Sequence, residues 1–346
     1  MSKLFESFSL KNLTIRNRIV MPPMCMYEAT EGFASDFHVM HYGARALGGA
    51  GLVIVEATGV VECGRITDNC LGIYDDAQIP GLARIAAAIK ANGAAPAIQL
   101  GHAGRKCVAQ VPEVFAPSAL PFDPKDPACK IPRAMSGADI EAVVEAFKNG
   151  ARRAAQAGFE MIEIHGAHGY LLSSFLSPLA NKRDDEYGSC MGNHGTENRS
   201  RIVGRVLAAA REAFPGPICL RVSAEDYAPE GNRPADIAEM LNLIKAQGID
   251  IVNVSSGGVS PAAPRAYPGY QVKFAEIIRE ATGLPVMAGG LLSAPEHMEE
   301  IIANERADMV YVGRELLRNP HFPLLAASRL GADFPWPKQY ERARPR

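Results

Sequence analysis

A (β/α)8 barrel is the fold class this sequence predicts, on three observations. Short apolar runs recur eight times, each stopping at a glycine or a polar residue. The runs are continuous and rich in Val and Ile, as suits strands of a parallel sheet buried on both faces. Most intervals between them carry an amphipathic helical pattern. Eight strand–helix units in 346 residues read as one barrel and one domain over 1–346.

The eight runs are IVMPPM (19–24), LVIVEAT (52–58), PAIQLGHAG (96–104), MIEIHGAH (161–168), ICLRVSAED (218–226), IVNVSSGG (251–258), PVMAGG (285–290) and MVYVGRE (309–315). Between the second and third, PGLARIAAAIKANG (80–93) opens on Pro and closes on Gly, the expected asymmetry of helix ends. Before the fourth, Ser136 and Asp139 form a capping box at the head of a long amphipathic stretch that stops at Gly158. Helical patterns follow at 197–214, 234–248, 271–283 and 294–305. The interval between the third and fourth runs is longer than one helix needs, so Pro-rich 112–134 is expected to form an excursion over one end of the barrel.

Composition limits the function. The chain is 47% hydrophobic and 21% charged, which predicts a soluble globular protein with ample core. A net charge of -2 gives no signal for nucleic acid or an anionic membrane. MSKLFESFSL lacks a secretory apolar segment, and no run approaches membrane-spanning length. The seven cysteines show no CxxC pair, so neither a disulfide framework nor an iron–sulfur cluster is expected, and a reducing cytoplasm fits best.

Barrels of this kind do their chemistry at the C-terminal ends of the strands. There stand Met24-Cys25-Met26-Tyr27, then Glu56-Ala57-Thr58, then Gln99 and His102. His165, His168 and Tyr170 follow the fourth run, Arg221 lies in the fifth, Gly289-Gly290 end the seventh and Gly313-Arg314 end the eighth. These ends are polar and cationic, which favours an anionic ligand over a hard cation. Phosphate sites in this fold sit after the seventh and eighth strands. Gly289, Gly290 and Gly313 would let backbone N–H groups approach a phosphate, and Arg314 would add a charge-assisted contact. The same glycines could simply turn strands into helices. Arg221 and Gln99 could serve the polar edge of a flavin, or could join an internal salt bridge with Glu56 or Glu163.

The stretch IHGAHGY (164–170) allows three readings. Metal binding needs a third ligand, and no HExxH form is present. Two core histidines are a second reading. The third is a pair of N–H donors aimed at one substrate oxygen, with Tyr170 as proton donor; such a donor can be worth about 3 kcal/mol where charge develops.

At these residues the chain resembles the Old Yellow Enzyme family of FMN-dependent NAD(P)H ene-reductases, and most of all its thermophilic-like bacterial subgroup. The resemblance rests on LKNLTIRNRIVMPPMCMY (10–27), LVIVEATGV (52–60), IQLGHAGRK (98–106), FEMIEIHGAHGYLLSSFLSPLANKRDDEYG (159–188), RVSAEDY (221–227) and VGRELLRNP (312–320). It implies tightly bound FMN lined by Pro22, Pro23, Met24, Cys25, Ala57 and Gln99. Arg221 would face the flavin's polar edge, and Gly289, Gly290, Gly313 and Arg314 its phosphate. His165 and His168 match the pair that binds a substrate carbonyl, and Tyr170 the proton donor. Cys25 and Tyr27 match substrate-contacting residues, Cys25 also tuning the flavin, and Lys106 a cation at the flavin edge. The implied reaction passes hydride from NAD(P)H through FMN to the β-carbon of an activated alkene, and Tyr170 protonates the α-carbon. The implied partners are an enone-type small molecule and further copies of the chain, as homodimer or homotetramer. Competing readings are a flavin reductase of nitro compounds or nitrate esters, a metal-dependent hydrolase using His165 and His168, and a silent phosphate-binding barrel.

Three departures from the family pattern stand out. DEYGSCMGNHGTENR (184–198) replaces a shorter segment and carries Cys190 and His194. In the tail 338–346, Gln339-Tyr340-Glu341-Arg342 is retained without the aromatic that usually follows, leaving Arg342 as the arginine expected to reach a neighbouring subunit's site. Lys106 is followed by Cys107, so the substrate lid is expected to differ. The iron–sulfur and pyridine-nucleotide domain of larger relatives is not found, so electrons are expected directly from NAD(P)H.

Overall fold

The computed structural model describes residues 2–189 and 195–345, so Cys190 and His194 lie outside the described residues. Eight parallel strands close into a barrel in chain order. After a short hairpin, β1 (Phe8–Leu10) and β2 (Leu13–Ile15), the barrel strands begin with β3 (Ile19–Met21), β4 (Leu52–Gly59) and β5 (Ala95–Gly101). The excursion carries the minor pair β6 (Phe115–Ala116) and β7 (Arg133–Ala134), and the barrel resumes with β8 (Met161–Gly166) and β9 (Ile218–Ser223). It closes through β10 (Ile251–Ser255), β11 (Val286–Ala288) and β12 (Met309–Tyr311), which pairs back onto β3.

All eight apolar runs are barrel strands, but several strands are shorter than their runs. β3 stops at Met21 because Pro22 and Pro23 have no N–H to donate to a ladder. The helices outside the barrel are α1 (Asp36–Leu47), α2 (Ile79–Ala91), α3 (Gly137–Gln156), α4 (Leu171–Leu176), α5 (Gly195–Ala213), α6 (Pro234–Ile244), α7 (Val272–Thr282), α8 (Pro295–Ala303), α9 (Arg314–Arg318) and α10 (Phe322–Arg329). The capping box at α3 is present: the Asp139 N–H donates to Ser136 Oγ at 3.2 Å, and the Ser136 N–H to Asp139 Oδ2 at 2.7 Å.

Strand alternation sorts the core into two layers. Outward residues such as Val53, Ile98, Ile164 and Val252 pack under the helices with Phe147 and Ile278. Inward residues such as Leu52, Ile54, Ala97 and Met161 fill the barrel, and Leu10 and Leu13 of the hairpin join them. Each fully buried aliphatic side chain contributes about 1.5–3 kcal/mol of transfer free energy. The inner apolar layer occupies the hairpin end and leaves the opposite end to polar side chains. The excursion bends over that polar end, where the Phe122 ring lies 4.4 Å from Lys106 Nζ. Among the described residues no helix is long and apolar enough to cross a membrane.

Candidate active site

Above the apolar layer sits a buried carboxylate, Glu163. It accepts hydrogen bonds from Gln99 Nε2 at 2.7 Å, Asn253 Nδ2 at 2.7 Å and the Cys219 thiol at 3.4 Å. All three donors are neutral. Glu56 is also committed elsewhere: it accepts from Tyr42 Oη at 2.9 Å and the Met26 N–H at 3.0 Å. Arg221 on β9 stands beside His165 in the ladder. It makes no ion pair with a described residue, and its buried Nε has no hydrogen-bond partner. The internal salt bridge open at Arg221 is therefore not formed. Its guanidinium instead lies 5.5 Å over the Tyr311 ring. Gln99 does join an internal network, but its amide nitrogen faces Glu163, which leaves the carbonyl oxygen as the spare acceptor.

IHGAHGY leaves the tip of β8 by a sharp turn. His168 (φ 61) and Gly169 (φ 73) are both left-handed. A Cβ at Gly169 would meet the Gly258 carbonyl oxygen at 2.2 Å, so only glycine fits. The turn folds Tyr170 back to head α4. The His165 ring lies 5.3 Å from that of His168 and 4.9 Å from that of Tyr170. His165 Nδ1 accepts the Ala167 N–H at 3.4 Å, which puts the ring proton on Nε2. His168 Nε2 lies 2.7 Å from Ser255 Oγ, which itself accepts from Gln271 Nε2 at 3.2 Å. The Ser255 hydroxyl can then donate to the imidazole and leave its proton on Nδ1.

The electrostatics keep these groups neutral. Burial, then the charges of Arg221 and Lys106, push both imidazoles well below the ordinary histidine range. Burial also pushes the Tyr170 phenol up, so it stays protonated. Lys106 Nζ donates to the His168 carbonyl at 2.9 Å and the Gly258 carbonyl at 3.2 Å, and lies 5.1 Å from the Tyr170 ring. Burial and nearby Arg105 lower the Lys106 ammonium to about 8. Among the described residues no group of three or more His, Cys, Asp or Glu is placed to hold a metal ion.

From Arg221 a cleft of about 490 Å³ runs past Pro22, Pro23 and Met24 to Gly290, Gly313 and Arg314. Gly290 has φ 98, and a Cβ there would meet the Tyr270 ring at 2.8 Å. A Cβ at Gly289 would strike the Tyr311 ring at 2.2 Å, so glycine makes room for that tyrosine. A Cβ at Gly313 would meet nothing nearer than Met24 Sδ at 3.4 Å. Arg314 is exposed and makes no ion pair with a described residue. The cleft thus has an unpaired buried guanidinium at one end and an unpaired exposed one at the other. That suits a ligand with a polar ring edge and an anionic tail.

The tail behaves differently. Gln339 and Tyr340 line a cleft of about 670 Å³ with Arg16, Asn92 and Gly93, at the hairpin end of the barrel. This space is larger than the first cleft, but the Arg16 guanidinium at its wall is already bonded to the Ala50 carbonyl at 2.9 Å and the Asn92 carbonyl at 3.2 Å. Arg342 lies exposed in the same terminal turn, away from the site of its own chain.

The model of one flavoprotein family, "NADH:flavin oxidoreductase / NADH oxidase family", matches residues 3–332. The chain belongs to this family. It is 50% identical over 342 residues, 98% of each chain, to an NADPH dehydrogenase of Geobacillus thermodenitrificans. An NADPH dehydrogenase of Listeria monocytogenes is 49% identical over 345 residues, 99% of each chain. Among solved structures, morphinone reductase superposes with a TM-score of 0.80 at 27% identity, covering 96% of this chain and 91% of its own. An old yellow enzyme homologue from Zymomonas mobilis has a TM-score of 0.80 at 25% identity, covering 99% and 98%. The chain is therefore a flavin oxidoreductase of Old Yellow Enzyme type, with FMN as cofactor and NAD(P)H as electron donor. The unpaired Arg221 and the glycine-dependent cradle at Gly290 fit that cofactor.

Two polar residues near this candidate site escape sequence reasoning. Tyr311 donates to the Val254 carbonyl at 2.9 Å and lies 2.5 Å from Gln271 Oε1. Ser255 ends β10, a strand end whose polar residues carry no motif. Both were findable: each is an inward-facing polar residue near the C-terminal end of an apolar run.

Proposed function

We propose that this enzyme is an ene-reductase acting on alkenes activated by a carbonyl or nitro group. The observation that supports this reading best is the trio His165, His168 and Tyr170: two neutral imidazoles and a protonated phenol turned onto one wall beside Arg221. Arg221, Gln99, Gly290, Gly313 and Arg314 would hold FMN, with Pro22, Pro23, Met24, Cys25 and Ala57 along its ring and Gly289 acting through Tyr311. Bound FMN supplies the hydride, drawn from NAD(P)H, that the β-carbon of the alkene receives.

The residues of the chain do the rest. His165 Nε2–H and His168 Nδ1–H donate to the substrate oxygen and stabilise the negative charge that gathers there. Neutral donors suit this task, because a buried imidazolium beside Arg221 would be costly. Tyr170 gives its proton to the α-carbon. The resulting phenolate would face the Lys106 ammonium and the Arg221 guanidinium, which offset its charge. Cys25 and Tyr27 would shape the substrate side; Tyr27 is 49% exposed and left-handed at φ 59, so its side chain is available at the rim. In this reading residues 1–346 act as one barrel unit in a reducing cytoplasm. Arg342 would serve a second copy in a homodimer or homotetramer, since it lies away from its own site.

Tyr170→Phe tests the mechanism by rapid mixing of the two half-reactions. The variant should slow alkene reduction by about 10²–10⁴, the range for a positioned proton donor, and leave flavin reduction by NAD(P)H nearly unchanged. Equal losses in both would refute Tyr170 as the donor.

A further inference from the structure

Two cations stand side by side just past the tip of β5, in the single turn Gly104–Lys106. Their donors go to carbonyls rather than to carboxylates. The Lys106 ammonium grips the His168 carbonyl at 2.9 Å and the Gly258 carbonyl at 3.2 Å. Buried Arg105 donates to the Val259 carbonyl and, through Nη1, to the Pro121 carbonyl at 3.3 Å. Three loops therefore meet on one turn: the excursion, the His168–Gly169 turn and the loop after β10. The last two already touch backbone to backbone, because a Cβ at Gly258 would meet His168 Cα at 2.8 Å.

The excursion has two differently held parts. Its stem is fastened without these cations: β6 pairs with β7, Arg183 Nη1 donates to the Pro117 carbonyl at 3.1 Å, and the Lys182 N–H donates to Ser118 Oγ at 2.8 Å. Its tip rests on the two cations. Beside the Arg105 bond to Pro121, the Phe122 ring lies 4.4 Å from Lys106 Nζ and 6.0 Å from the Arg105 guanidinium. The same ammonium lies 5.1 Å from the Tyr170 ring. One cation thus serves two aromatic faces, and Phe122 stands one side-chain layer behind Tyr170.

We propose that Arg105 and Lys106 latch the excursion over the site, and that Phe122, seated there, is a specificity-determining residue that limits the substituent on the carbon Tyr170 protonates. The specificity role rests on the ene-reductase reading. In that reading the β-carbon of the alkene receives the hydride, and the activating oxygen is held by His165 and His168. The α-carbon is the atom turned to Tyr170, so a group attached to it extends toward the side where Lys106 and Phe122 stand. Small α-substituents fit under the latched ring, and branched ones meet it. A group on the β-carbon starts one bond further from Tyr170 and serves as the control.

The test uses the flavin-loaded enzyme. Hydrogen exchange read by mass spectrometry compares the tip, 119–126, with the stem at β6 and β7. Phe122→Leu keeps an apolar side chain and loses the ring face. Its tip should exchange about 2- to 30-fold faster, the loss of a cation–π contact of about 0.5–2 kcal/mol, while the stem keeps its rates. Phe122→Tyr keeps the face and should exchange as the unmodified enzyme does. Turnover is then compared on cyclohex-2-enones carrying methyl or isopropyl at the α-carbon, or the same groups at the β-carbon. In Phe122→Ala the isopropyl-to-methyl ratio of kcat/KM should rise about tenfold or more for the α-series, the scale of a methylene-sized change in a pocket, and stay nearly level for the β-series. Phe122→Leu gives a second arm if the alanine variant does not fold. Equal tip exchange in the leucine and tyrosine variants would overturn the latch, and so would stem and tip quickening together. A level ratio in the α-series, or ratios that rise alike in both series, would overturn the specificity role. If the unmodified enzyme reduces none of these enones, the ene-reductase reading fails, and the exchange comparison still decides the latch.

Discussion

Replacing Arg221 by Met separates a ligand-binding arginine from a structural one by the sign of its effects. A buried arginine paired with a carboxylate costs about 3–5 kcal/mol to remove, because the partner is left charged and alone. Arg221 has no such partner, and its Nε is unsatisfied. Its one clear attraction within the chain is the Tyr311 ring at 5.5 Å, a contact worth about 0.5–2 kcal/mol. Relief of an unpaired buried charge offsets that loss. Urea unfolding of the flavin-free protein should therefore show Arg221→Met destabilised by no more than about 2 kcal/mol. FMN binding should suffer more. A hydrogen bond from a charged donor contributes about 1.5–3 kcal/mol, which corresponds to a Kd weakened about 10- to 150-fold in a fluorescence titration. The reasoning fails if the flavin-free variant loses several kcal/mol while its FMN affinity holds.

Two further outcomes follow from the same groups. His165→Ala removes one neutral donor, worth about 1 kcal/mol; it should weaken a phenol that mimics the substrate oxygen about fivefold in a flavin-absorbance titration, and unchanged binding would take His165 out of the oxygen site. Burial raises Glu56 to about 7, against roughly 4.3 in an unfolded chain. A carboxyl with a raised folded value adds stability that is present below the unfolded value and lost as pH rises through the folded one. Stability should thus fall between about pH 4.3 and 7, by up to about 4 kcal/mol, and Glu56→Gln should flatten that slope in urea unfolding. Identical slopes in the two proteins would mean Glu56 titrates normally.

What the sequence made legible was local. Each barrel strand is a contiguous apolar run, so periodicity and length find it, and the end of a run marks the catalytic face. The need for glycine at Gly169 is not local: a Cβ there would meet the carbonyl oxygen of Gly258, beyond the end of β10, at 2.2 Å. The state of Arg221 was not legible. It depends on which carboxylates are already satisfied, and Glu163 is satisfied by Gln99 from the adjacent β5 and by Asn253 from β10, two strands away. Only the closed barrel brings those three together. The packing of Gly289 against Tyr311 across the ladder was hidden in the same way. The hairpin β1–β2 escaped because strands of three residues are too short to show a period.

The most direct test of the central claim is the second half-reaction alone. The enzyme is reduced anaerobically with one equivalent of NADPH and then mixed with a simple cyclic enone. The account predicts that the oxidised flavin absorbance returns in a single kinetic phase and that one saturated ketone forms per flavin. A flavin that stays reduced in the presence of saturating enone, while a nitro compound or nitrate ester reoxidises it, would contradict the claim.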